Sequence, residues 1–212
     1  MNPDPVAGPI AGPVPGSVPG SARLSLELSC DTGCRSVEEA GAWLPDIAFL
    51  VRHAALALPP GPVPTVPPGA PSDAMREVAG QSVTGGPCEL HYELSVRLVG
   101  EAEGAELNRV YRGVDRPTNV LSFASGLPPL GALCALGDLV FCPDVIAREA
   151  REQGKALCDH WAHLAVHGTL HLFGHDHQDD AAAEAMEALE IRLLSGAGIA
   201  DPYRGTADDP DE

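Results

Sequence analysis

The chain has no uninterrupted apolar run of about 18 residues or more, which argues against a membrane-spanning helix. The nearest approach, Gly126 to Pro143, is broken by Asp138 and three prolines. The first residues, MNPDPVAGPIAGPVPGSVPG, lack a basic start and an unbroken apolar stretch, so they do not read as a secretory leader, and cytoplasmic residence is expected. The six cysteines contain no CxxC pair, which removes the zinc-ribbon and thioredoxin-like classes. Cys30 and Cys34 form a CxxxC that is either a clip or two ordinary thiols, and a reducing compartment favours thiols. Basic residues are scarce as well: 13 Lys and Arg face 30 Asp and Glu, a formal charge of −17. Non-specific coating of nucleic acid, which needs clustered cations, is therefore excluded.

The scarcity is not uniform. Between Ala105 and Lys155 the six basic residues Arg109, Arg112, Arg116, Arg148, Arg151 and Lys155 balance six acidic ones, so this window is neutral within an acidic chain. An anionic substrate would be drawn to it rather than to the surface as a whole.

The 212 residues, 44% of them apolar, suffice for one domain with a real core. Thirteen of the 21 prolines fall in residues 3–19 and 59–71, two glycine-rich stretches expected to be extended or disordered. The domain is therefore placed at 23–204, after an added extension at 1–22, with a Pro-rich insert at about 59–87 and an acidic tail at 205–212.

Within that span, alternation of apolar and polar residues predicts strands at Arg23–Ser29 and Cys88–Val99. TNVLSFA (Thr118–Ala124) and LGDLVFC (Leu136–Cys142) add two short strands. Helical spacing predicts helices at Val37–Leu58, Glu101–Arg112, Val145–Glu152, Leu157–Phe173 and Asp180–Leu194, several of them ended by glycine. The fold class expected is α+β: a single domain with a small mixed four-stranded sheet packed with about five helices.

The chemistry concentrates on one helix. Six of the eight histidines lie between His160 and His177. His167 and His171, four apart, share a helix face and can bind one ion. Gly174 then permits a sharp turn that returns His177 as a third ligand, giving H-x3-H-x5-H. Three neutral imidazoles leave a fourth position for water, the layout of a catalytic zinc site rather than a closed structural one. The spacing matches the zinc-peptidase motif H-E-x-x-H-x-x-G-x-x-H except at Gly168, where the general-base glutamate would stand, and this speaks against peptide hydrolysis. Asp176 is a candidate acceptor behind a ligand histidine. His160 and His163, on the same stripe, either line the approach or simply hydrogen-bond to neighbours.

With these residues in view, HWAHLAVHGTLHLFGHDH (His160–His177) resembles the signature of the YbeY family, metal-dependent endoribonucleases of bacterial rRNA maturation and ribosome quality control. LNRVYRGVDRPTNVLSFA (Leu107–Ala124) and LGDLVFC resemble two further family blocks in the family's order, and the likeness covers about residues 89–204. The resemblance implies a zincin-like metal helix, one zinc per chain on His167, His171 and His177, and a site arginine at Arg112 that steadies a phosphodiester. It also implies single-stranded RNA, an rRNA precursor, as substrate, with the 16S 3′ end as the place of action. Ribosomal proteins or ribosome-assembly factors are the implied partners. His175 departs from the family's usual tyrosine. An alternative of another class is a ribosome-associated binding module with a largely structural metal, which the acidic surface would suit.

Overall fold

The structure is a computed structural model that describes residues 23–30, 40, 44–58, 91–128, 130, 133–177 and 179–204. Both the extension at 1–22 and the insert at about 59–87 lie outside the described residues, as do the tail at 205–212 and Cys34.

Strand β1 (Arg23–Cys30) leads to helix α1 (Leu44–Ala57), then β2 (His91–Leu98), α2 (Glu101–Arg112), β3 (Val120–Ala124) and β4 (Leu133–Phe141). Three helices follow: α3 (Pro143–Glu152), α4 (Leu157–Leu172) and α5 (Asp180–Gly196). The four strands form one mixed sheet in the order β1-β2-β4-β3, parallel between β1, β2 and β4 and antiparallel between β3 and β4. The expected α+β architecture is the one found: among the described residues there are a four-stranded mixed sheet and five helices.

Local chemistry explains the boundaries. α2 carries Glu101 and Glu103 in its first turn and Arg109 and Arg112 in its last, each charge complementing the helix dipole. Gly113, at φ 72°, ends it in the left-handed region. α3 opens on Pro143, whose missing N–H costs nothing in a first turn. The N-cap of α5 is Asp179, whose side chain accepts the Ala182 N–H at 2.8 Å. β4 begins three residues earlier than its apolar pattern suggested, because Leu133 to Ala135 pair with β2 before a register shift at Glu93/Leu94.

One face of the sheet holds the core. Leu50, Val51, Val96, Leu98, Leu139, Phe141, Trp161, Ala165 and Leu170 are all buried in a single cluster. α4 runs through it and is buried nearly all round, with residues from Trp161 to Leu172 packed on several sides. A much smaller cluster of Val99, Leu121 and Val140 lies across the sheet. The histidine-bearing helix is thus anchored on several sides, fixed against β3, β4, α1, α3 and α5. Among the described residues no helix is long and apolar enough to cross a membrane.

Candidate metal centre

The end of α4 makes the site. Gly174 adopts φ 85°. Its N–H bonds to the carbonyl of His171 at 3.0 Å, and the His175 N–H reaches Leu170 at 3.1 Å. These two bonds form a Schellman motif, which closes the helix and sends the chain back over its own last turn. The Asp176 carboxylate accepts the His177 backbone N–H at 2.8 Å and holds the following residue in place. As a result His167, His171 and His177 present one nitrogen each within 4.8 Å of one another.

The donor atoms can be assigned. His171 Nδ1 donates to the His175 carbonyl at 2.9 Å, and since a carbonyl only accepts, Nδ1 must carry the proton. His167 Nδ1 faces the Glu190 carboxylate at 2.8 Å and donates to it. In the neutral rings both Nε2 atoms are therefore bare lone pairs, and they lie 3.1 Å apart. Lone pairs at that distance repel unless a cation joins them. Two nitrogens on a tetrahedral zinc with bonds of about 2.0–2.1 Å sit roughly 3.3 Å apart, so the pair fits a shared metal ion. Burial, reinforced by the neighbouring His167 and His177, pushes the His171 pKa down and favours the neutral, ligating form.

The three imidazoles open onto a cleft of about 620 Å³ whose walls include Arg112, Asn119 and Ser122. Arg112 stands in the last turn of α2, exposed, and donates from Nη2 to the Ser122 carbonyl at 3.1 Å. Ser122 in turn donates its hydroxyl to the Gly168 carbonyl at 3.1 Å. A helix-end cation is thereby tied through β3 to the residue that follows His167. Gly168 itself faces β3 and β4: an added Cβ would come within 3.0 Å of Leu139 and 3.3 Å of Val120. The position at which zinc peptidases carry their base is occupied here by the sheet.

Of the other sequence candidates, His160 is buried at 4% exposure and bonds Glu149 at 3.0 Å, away from the cleft wall. Glu149 also accepts from Asn119 at 2.8 Å, which links α3, α4 and the start of β3. His163 bonds Glu190 at 2.8 Å. Both therefore follow the hydrogen-bonded reading. His175 lines the cleft beside His177. Glu190 was not singled out by the sequence, although it is the orienting acceptor on His167 and is only 1% exposed. Its signal was present: a glutamate interrupting the apolar stripe of Met186, Leu193 and Leu194. Burial would raise its pKa, but hydrogen bonds from His163, His167 and Tyr203 outweigh that and hold it near about 2. Among the described residues Cys134, Cys142 and Cys158 are free thiols.

These observations define a class: an α+β protein with a three-histidine metal-binding geometry at a helix end, opposed across a cleft by an arginine. The family model described as Endoribonuclease YbeY matches residues 70–198. A protein of Alkalilimnicola ehrlichii named Endoribonuclease YbeY is 62% identical over 113 residues, 52% of this chain and 68% of its own length. One of the same name from Halorhodospira halophila is 61% identical over 115 residues, 53% of this chain and 75% of its own. One from Xanthomonas axonopodis pv. citri is 59% identical over 117 residues, covering 53% and 73%. The solution structure of TM1509 from Thermotoga maritima aligns over 89% of this chain and 99% of its own at 21% identity and TM-score 0.38. The chain belongs to the YbeY family.

Proposed function

We propose that this protein is a zinc-dependent endoribonuclease that cuts single-stranded RNA, acting in 16S rRNA 3′-end maturation and ribosome quality control in the cytoplasm. Family membership supports the endoribonuclease reading, since the relatives carry that name. The observation that carries it is geometric: three nitrogens converging within 4.8 Å, on a cleft that also contains a guanidinium.

His167, His171 and His177 would hold the ion. A bound zinc would supply Lewis-acid polarisation of a phosphate oxygen or a water. Arg112 binds the phosphodiester: its Nη2 leans on the Ser122 carbonyl, while its other N–H donors are available to the non-bridging oxygens and offset charge developing there. The position after His167 offers no carboxylate base, because it is Gly168, packed on the sheet. The attacking oxygen is then either water or the RNA 2′-hydroxyl. Ribosomal proteins or assembly factors are the proposed partners, which would deliver the RNA to a chain whose net charge of −17 attracts little of it unaided.

The test is cleavage of an end-labelled rRNA-like oligonucleotide, single-stranded and in a duplex, by wild-type protein and Arg112→Ala. Wild type should cut the single strand preferentially, and Arg112→Ala should lose about 100-fold or more while retaining bound metal. A cyclic 2′,3′-phosphate product would assign the 2′-hydroxyl as nucleophile. If Arg112→Ala cut as fast as wild type, the arginine's role would be withdrawn. Metal bound without any cleavage would support the binding module instead.

A further inference from the structure

Glu190 lies on the apolar stripe of α5, and a carboxylate so buried is costly unless its oxygens are hydrogen-bonded. Three donors from two other parts of the chain converge on it. His167 Nδ1 reaches Oε1 at 2.8 Å, and His163 Nε2 reaches Oε2 at 2.8 Å. The Tyr203 hydroxyl, from the segment after α5, also donates to Oε2. The Tyr203 ring packs edge-on to His163, centroids 5.4 Å apart, and Asp201 fixes the turn by accepting the Tyr203 N–H at 2.9 Å.

The proton positions follow from burial. His163 Nδ1 is buried and has no hydrogen-bond partner among the described residues. A bare lone pair there costs less than an orphaned N–H, so in the neutral His163 ring the proton sits on Nε2. Both donors to Oε2 are thereby accounted for, and neither belongs to the proposed metal ligands. They grip the carboxylate from behind and leave Oε1 facing His167.

Resting on the reading of the histidine trio as a metal site, we propose that Glu190, clamped by His163 and Tyr203, is a positioning residue that fixes the His167 tautomer and aims Nε2 at the cation. The segment carrying Tyr203 therefore completes the metal centre from outside it. A carboxylate behind a ligand imidazole fixes ring orientation and raises its basicity, and removing such a partner typically weakens metal binding about 10–100-fold. His171 makes an internal comparison, because a backbone carbonyl, not Glu190, holds its Nδ1–H.

The experiment measures Zn2+ affinity of the full chain by competition with a chromophoric chelator, for wild type, Glu190→Gln, Tyr203→Phe, Glu187→Gln and His171→Ala. Long-range 1H–15N spectra of the imidazoles accompany it. Glu190→Gln should bind zinc about 10–100-fold more weakly, and Tyr203→Phe by a smaller factor in the same direction. In both, the spectra should show His167 losing its single tautomer while His171 keeps its own, which a general loss of packing would not produce. Exposed Glu187 should make no difference. Tyr203→Phe, at the periphery, keeps the test open if Glu190→Gln does not fold. Wild-type affinity and an unchanged His167 tautomer in folded Glu190→Gln or Tyr203→Phe, with binding abolished in His171→Ala, would overturn the inference alone. Wild type binding no more zinc than His171→Ala would overturn the metal site and the inference together.

Discussion

Replacing Gly168 by alanine sets two effects of known size against each other. In a helix interior alanine is favoured over glycine by about 1 kcal/mol, so on propensity alone Gly168→Ala should stabilise α4. The structure reverses the sign. The new methyl would lie 3.0 Å from Leu139 Cδ2 and 3.3 Å from both Ser122 Oγ and Val120 Cγ2. Leu139 is fully buried in the main core cluster and has little room to retreat. Overpacking of this kind costs about 1–3 kcal/mol, and displacing Ser122 also weakens its bond to the Gly168 carbonyl, worth about 1 kcal/mol. The net expectation is destabilisation by about 1–3 kcal/mol, read as a lower midpoint in urea unfolding at unchanged slope. Because the same contact ties Arg112 to the histidine helix, cleavage should fall along with stability. A Gly168→Ala protein as stable as wild type or more so would refute the close approach of α4 to β3 and, with it, the reason that no base occupies this position.

Other perturbations have equally direct readouts. Gly137→Ala should abolish stable folding, since at φ 130° its Cβ would fall 2.0 Å from the Phe123 carbonyl, and loss of the cooperative thermal transition would show it. Phe141→Ala empties a fully buried site against Trp161 and should cost about 3–5 kcal/mol in chemical denaturation. Asp179→Ala removes the α5 cap and should cost about 1 kcal/mol by the same assay. In pH-dependent unfolding of metal-free protein, burial depresses the His160 pKa below 6.5 despite Glu149, so the unfolded chain takes up that proton first and stability should decline as pH falls below about 6.5. Glu190, held near about 2 against an ordinary 4.5, contributes stability above 4.5 that should be lost as pH falls from there toward 2; a flat profile between pH 7 and 3 would contradict both assignments.

The helices and strands were legible because their apolar periods are clean, and the histidine trio because i, i+4 spacing and a glycine turn are local facts. Strand order was not, since alternation says that Leu94 and Leu139 belong in strands but not that β4 lies between β2 and β3. Gly174 was read as a turn, yet the Schellman closure that places the His175 carbonyl on His171 depends on hydrogen bonds no spacing displays. Asp176 was expected behind a ligand histidine; its carboxylate accepts the His177 backbone N–H, and the acceptor on His167 is Glu190, reached across the packing of α4 and α5. Such a contact, formed between residues 23 apart in the chain, leaves only an oddly placed glutamate as its trace.

The most direct test of the central claim is the divalent-metal content of purified wild-type and His171→Ala protein, coupled to RNA cleavage after chelation and after return of zinc. One zinc per wild-type chain, none in the variant, and cleavage that stops with chelation and returns with the metal are the results expected. Cleavage that continues undiminished in metal-free wild type, or a full equivalent of zinc retained by His171→Ala, would contradict the account.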